Sequence, residues 1–251
     1  MQIELIVALV SAAVALISAG FTLWGQIRTT RLAADLEALR LVEQRRFDAE
    51  KTIARYREPL ARAAYDLQSR LYNILEQKLI LAHFENGDER SRSHVLNNTT
   101  FLIAQYFSWT EIVRRDIQYI DLGQDEETRI LARLQDDIYS LFQTARFPAV
   151  FRVFAGEQRA IGERMIREGA RGLEPLGYAA FLDQVANGSD PMIEALRHDV
   201  QALATELPVA GARLVALQHA LVDLLGALDP DGVRFPQDRR TKVHAPRVRL
   251  G

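Results

Sequence analysis

The chain has 251 residues, 31 Lys and Arg against 33 Asp and Glu, a formal net charge of −2 and no cysteine. The near-balance of charge excludes the overall basic character of a nucleic-acid-binding protein. The lack of thiols excludes disulfides, cysteine nucleophiles and cysteine metal sites. A hydrophobic fraction of 48% is that of a chain able to bury a core.

The first element is the uncharged run from Leu5 to Trp24, LIVALVSAAVALISAGFTLW. As a helix it spans about 30 Å, the thickness of a bilayer's hydrocarbon core. The residues before it are Met1-Gln2-Ile3-Glu4, without the basic start of a cleaved leader. Residues 5–25 are therefore expected to be a transmembrane helix that stays attached. Arg28, Arg31, Arg40, Arg45 and Arg46 all follow the run. The positive-inside rule then puts the N-terminus outside and the body in the cytoplasm, at an inner membrane, single-pass. Phe21 and Trp24 are expected as aromatic anchors at the cytoplasmic interface, with Leu5 at the far end. Ser11, Ala15 and Ala19 are small residues spaced by four, a pattern that lets two membrane helices approach closely.

Residues 26–57 read as a helical stalk, rich in Ala, Leu, Arg and Glu. Leu32, Leu36 and Leu39 have the spacing of a short coiled-coil seam, which Glu43 and Arg46 end; a stalk packing against its own domain is the equal alternative. Glu58-Pro59 predicts a break, followed by a helix over 60–84. The body, 58–230, is expected to be an all-α bundle of roughly five to seven helices. Ser93 is the expected cap of an aromatic helix over 94–122 that carries Phe101, Tyr106, Phe107, Trp109 and Tyr119. Gly123 should stop it and Asp125 should cap the next helix. FPAVFRVF, 147–154, breaks the helical pattern and reads as an extended connection. A short charged helix follows, then another over 178–185. Asp190-Pro191 is a strong helix start. Pro208 is expected to end that helix, giving an antiparallel hairpin with a last helix that carries Leu214, Leu217, Leu221, Leu224 and Leu228. Residues 231–251 read as a basic, flexible tail, with Arg239, Arg240 and Lys242 available to anionic lipid.

The search for chemistry finds no phosphate-cradling loop, no HExxH and no GxSxG. None of the five histidines is paired with another at metal-ligand spacing, and neither a catalytic residue nor a cofactor is expected. His219 and Asp223 stand one turn apart and are read as surface hydrogen-bonding groups. The adjacent carboxylates Glu126-Glu127 and Asp136-Asp137 read as solvated helix surface. The most unusual polar cluster is Glu157-Gln158-Arg159 with Glu163 and Arg164. Arg159 and Glu163 have the spacing of a helical ion pair. The cluster reads first as a buried ion network holding an irregular segment. Its sharper reading is a ligand site of Arg159, Glu163 and Trp109.

The function expected is a membrane-tethered interaction or scaffold module that self-associates or docks a cytosolic protein. The alternative is a membrane-anchored ligand sensor or effector with a polar pocket around Arg159 and Glu163, and an enzyme of unknown class ranks below both. The expected partners are the membrane, a second copy of the chain and a cytosolic protein, with no nucleic acid.

Overall fold

The computed structural model describes residues 2–117, 126–170, 172–188 and 190–244, though not every side chain within them. The chain is mostly helical, 78% against 4% strand. The elements are α1 (Gln2–Leu75), a π-helical turn (Ile80–Glu85), α2 (Glu89–Ile117), α3 (Glu126–Gln143), α4 (Ala155–Arg164), β1 (Ile166–Gly169), β2 (Gly172–Pro175), α5 (Tyr178–Ala186), α6 (Pro191–Leu228) and a short 3-10 turn (Gln237–Arg239). The fold divides into two units, residues 1–51 and 52–251.

The first unit consists of α1 residues alone. Its described apolar side chains are exposed, among them Ile17, Phe21, Leu23, Trp24, Leu32, Leu36 and Leu39. Thr22, Thr29 and Thr30 donate their hydroxyls back to the carbonyls of Ser18, Gly25 and Gln26, at 2.8, 3.0 and 2.8 Å, so these polar groups need no water. The Arg28 guanidinium lies 5.4 Å from the centre of the Trp24 ring. The side chains of Leu5, Ser11 and Ala15 lie outside the described residues; Ala19 is exposed.

The second unit carries the core. The α1 face Leu60, Ala64, Leu67, Leu71 and Ile74 is buried with Ile103 and Phe107 of α2 and with Leu214, Leu217, Leu221 and Leu224 of α6. Helix α2 touches α4, α5, α6, β2 and the π-helical turn, the central place its aromatic content predicts. The rings of Phe107 on α2 and Phe142 on α3 meet edge to face at 4.8 Å, and Phe101 packs on Tyr178 and Phe181 of α5. Gly162 permits the contact of α4 with α2: a Cβ there would stand 2.6 Å from the Phe107 carbonyl oxygen.

Several boundaries differ from those the sequence predicts. Pro59 and Pro208 both lie inside continuous helices. Each removes one backbone hydrogen bond. Buried neighbours on both sides, Tyr56 and Leu60 around the first and Leu203 and Ala210 around the second, carry the helix through. No helical hairpin forms at Pro208 as a result. Helix α1 ends at Leu75 rather than in the eighties. Helix α2 starts earlier than predicted, capped by Asp88, whose carboxylate accepts the Ser91 N–H at 2.8 Å; Ser93 is not the cap. The predicted stop at Gly123 and cap at Asp125 lie outside the described residues. Asp190 caps α6 as predicted, accepting the Met192 N–H at 2.9 Å ahead of Pro191.

Strands β1 and β2 pair antiparallel, Ile166 opposite Pro175 and Gly169 opposite Gly172. This hairpin is the one departure from an all-helical body among the described residues, and periodicity missed it because each strand has only four residues.

The segment after α6 is packed through residue 244. Phe235, Arg240 and Val243 are buried, which differs from the expected flexible tail. Gln68 and Gln218 bond to each other at 3.1 Å in the core and reach out to this segment. Gln68 donates to the Arg239 carbonyl, while Gln218 donates to the Thr241 carbonyl and accepts the Val243 N–H. Asp229 accepts three successive N–H groups, from Val233, Arg234 and Phe235, and the Arg240 guanidinium closes on the same carboxylate. Isolated apolar residues in a charged stretch gave no period to read. Buried glutamines supply the order instead.

Candidate functional site

Among the described residues, one helix is long and apolar enough to cross a membrane by composition, α6, and 56% of its apolar window is buried in the core. Groups of three or more His, Asp or Glu placed to hold a metal ion are absent among the described residues. Two cavities remain among the described residues: a polar one of about 300 Å³ between α1 and the segment after α6, and a mainly apolar one of about 270 Å³ where α1, α2, α3, α4 and the end of α6 meet.

Its walls are mainly apolar, with Leu60, Phe107, Val113, Leu131 and Leu228 contributing from four helices. Polar groups come from α1, α2, α3 and α4, with α2 contributing the most. Tyr106 of α2 lines the cavity, and its hydroxyl is fully buried with no hydrogen-bond partner. A buried hydroxyl left unpaired costs about 1–3 kcal/mol. Burial also pushes the Tyr106 phenol far above its ordinary pKa, which keeps it a neutral donor.

Glu111 is 3% exposed and accepts from Arg114 at 2.7 and 2.8 Å and from Arg115 at 2.8 Å. Burial works against its charge, but the bonds from the two arginines outweigh that and hold the carboxyl below its ordinary value. Arg115 continues to Glu163 of α4 at 3.1 Å. The ion network therefore ties α2 to α4 and runs from the buried Glu111 out to Glu163, which is about half exposed.

Arg159 and Glu163 do not pair with each other. Glu163 is held by Arg115, and Arg159 makes no ion pair with any described residue and lines the cavity. Arg164 reaches the α6 cap at Asp190, 2.7 Å away. The N-terminus of α4 is not open to an anion, because Glu157 turns back to accept the Phe154 N–H at 2.7 Å. Gln158 is buried and donates to the carbonyls of Tyr139 and Val153, fixing the irregular connection before α4. Trp109 is half-buried between the two apolar clusters and does not line the cavity. The structure thus puts Arg159 at a cavity, leaves Glu163 one ion pair away and makes Trp109 a packing residue. Sequence reasoning missed Tyr106 as a polar group and Glu111 altogether. Both occur at positions that helical spacing marks only as interior.

His219 and Asp223 do not share a ligand. His219 Nε2 stands 2.9 Å from the Val243 carbonyl and Asp223 pairs with Lys242 at 2.7 Å, so both fasten the C-terminal segment. Of the three basic residues expected to reach lipid, Arg240 is buried, Lys242 is paired and Arg239 is exposed.

No protein-family model matches the chain, and neither the curated proteins nor the solved structures contain a match to it.

Proposed function

We propose that this protein is a membrane-tethered helical module that self-associates through its anchor and stalk and presents its folded body to the cytoplasm. One observation carries the reading: apolar side chains from Ile3 to Phe47 stand exposed along α1. The uncharged first half suits lipid, where a helix satisfies its own backbone. Thr22 adds to that fit by satisfying its hydroxyl within the helix. Arg28 beside Trp24 matches the aromatic and basic groups favoured at the cytoplasmic interface. Leu32, Leu36 and Leu39 lie in the second half, in water, and there a second copy of the same helix is the partner the seam fits. Tethering in a plane raises the effective concentration, so a seam this short suffices.

The chain has no cysteine, so single introduced cysteines report on its contacts without background. Full-length variants with Cys in place of Leu32, Leu36 or Leu39 should form disulfide-linked dimers on mild oxidation in native membranes. Cys at Ala34 or Glu37, off the seam, should crosslink much less, and replacing Ser11, Ala15 and Ala19 with Leu should weaken the seam crosslinks. Equal crosslinking at all five positions, or none, would refute self-association by this face. Labelling the same cysteines with an impermeant maleimide in inverted but not right-side-out vesicles tests the orientation.

A further inference from the structure

The cavity beneath α2 is lined by residues of the second unit and combines apolar walls with several polar groups. We propose that it binds a small amphipathic anion, an apolar or aromatic body ending in a carboxylate or a similar acceptor group.

The argument starts from the walls. Leu60, Phe107, Leu131 and Leu228 present an apolar surface that a hydrocarbon or ring would cover. Tyr106 adds a buried hydroxyl with no partner, and as a neutral phenol it donates to an acceptor and gives nothing to an ammonium group that a carbonyl or carboxylate would not give better. Charge then sets the sign. The lining includes the arginines Arg57, Arg114 and Arg159 and the acids Glu111 and Asp136. Glu111 is already satisfied by Arg114 and Arg115, so it offers a cation little. Asp136 is exposed at the rim. Arg159 is exposed at the same rim, but it keeps a guanidinium fork that no described carboxylate occupies, and such a fork recognises a carboxylate in bidentate fashion. A ligand seated there also touches α2 and α4, the two helices joined by Arg115 and Glu163.

The probe is 4-phenylbutyrate, with 4-phenylbutanamide and 4-phenylbutylamine as neutral and cationic counterparts. Saturation-transfer NMR on the full chain in nanodiscs, corrected with empty nanodiscs for lipid partitioning, should show saturable binding of the acid with a Kd of about 0.1–1 mM. The amide should bind about tenfold more weakly and the amine not measurably. Arg159→Gln should weaken the acid about tenfold while leaving the amide unchanged, and Arg159→Lys should restore part of the loss. Tyr106→Phe, which conserves shape, should weaken acid and amide alike. The proposal is overturned by any of three results: no saturable binding of the acid, amine binding as tight as the acid, or acid binding that survives both Arg159→Gln and Tyr106→Phe.

Discussion

Arg213 shows what a single side chain does in this fold. It is fully buried on α6, and it makes no ion pair with a described carboxylate. Its two terminal nitrogens donate to the carbonyls of Leu141, Phe142, Thr144 and Pro148 at 2.6, 2.9, 3.1 and 2.9 Å. Leu141 and Phe142 are in the last turn of α3, where carbonyls have no partner within the helix and the dipole is negative. A cation there caps a helix that has neither a glycine nor a lysine to end it. Replacing Arg213 with Met should cost about 3 kcal/mol or more, because four acceptors lose their donor in a dry site. Lys should not rescue it, since one ammonium cannot serve four dispersed oxygens. Chemical denaturation of the full chain in detergent checks both. A second residue carries a pH dependence. Burial, and then the neighbouring Glu157, raise the Asp199 carboxyl from 3.8 to about 6, while His198 opposes the shift. An acid with a raised pKa in the folded state favours its protonated form, so its contribution to stability falls as pH rises from about 4 to 6 and stays lower above that. Asn mimics the protonated acid. Asp199→Asn should therefore raise the melting temperature at pH 7.5 by about 2 °C, a modest gain because the group is only partly buried, and change nothing at pH 4. A gain at pH 4 that matches the gain at pH 7.5 would show that packing, not charge, is responsible.

The C-terminal segment behaves as an element although it lacks a regular backbone. The ring of Phe235 lies 4.8 Å from that of Tyr65 on α1, with Arg62 over its other side at 5.0 Å, while Gln68 and Gln218 hold the strand-like stretch beyond it. Phe235→Ala should destabilise the body by about 3–4 kcal/mol, as a buried phenylalanine does elsewhere. Removal of the loop's polar anchor by Asp229→Ala should cost a comparable amount, because it leaves the buried Arg240 guanidinium without its carboxylate. Comparing the two melts would show whether the segment is held by its apolar plug or by its turn. This element also marks where the sequence stops being legible. Helical spacing alone identifies the buried faces of α1, α2, α3 and α6, because their leucines and isoleucines repeat every three or four residues. It does not identify Arg213, Gln218 or Tyr106. Arg213 is four residues before Leu217 and Gln218 is four after Leu214, so both occupy interior positions, but a polar residue in such a stripe is read as noise until its partners are seen. The prolines misled in the opposite direction. Their local preference for a break at 59 and 208 was overridden by burial on either side. Of the candidate site, Arg159 was legible as an odd charge beside an apolar segment. Its separation from Glu163 was not, because Arg115 comes from another helix.

Across the whole molecule, the core is sewn together by contacts between distant parts of the chain. Gln68 meets Gln218, 150 residues later, and Glu76 accepts from the His244 N–H across 168 residues. Such separations mean that α1's inner face has to wait for most of the body before it is covered. During synthesis the ribosome delivers this sequence from the N-terminus, at about 5–20 residues per second. The buried leucines of α1 emerge long before α6 exists. The apolar stripe of the unfinished body would therefore stay bare for about ten to forty seconds. Nascent chains stalled before residue 228 should consequently be protease-sensitive and in need of a chaperone, and resistance should arrive abruptly once residues 235–243 have cleared the exit tunnel.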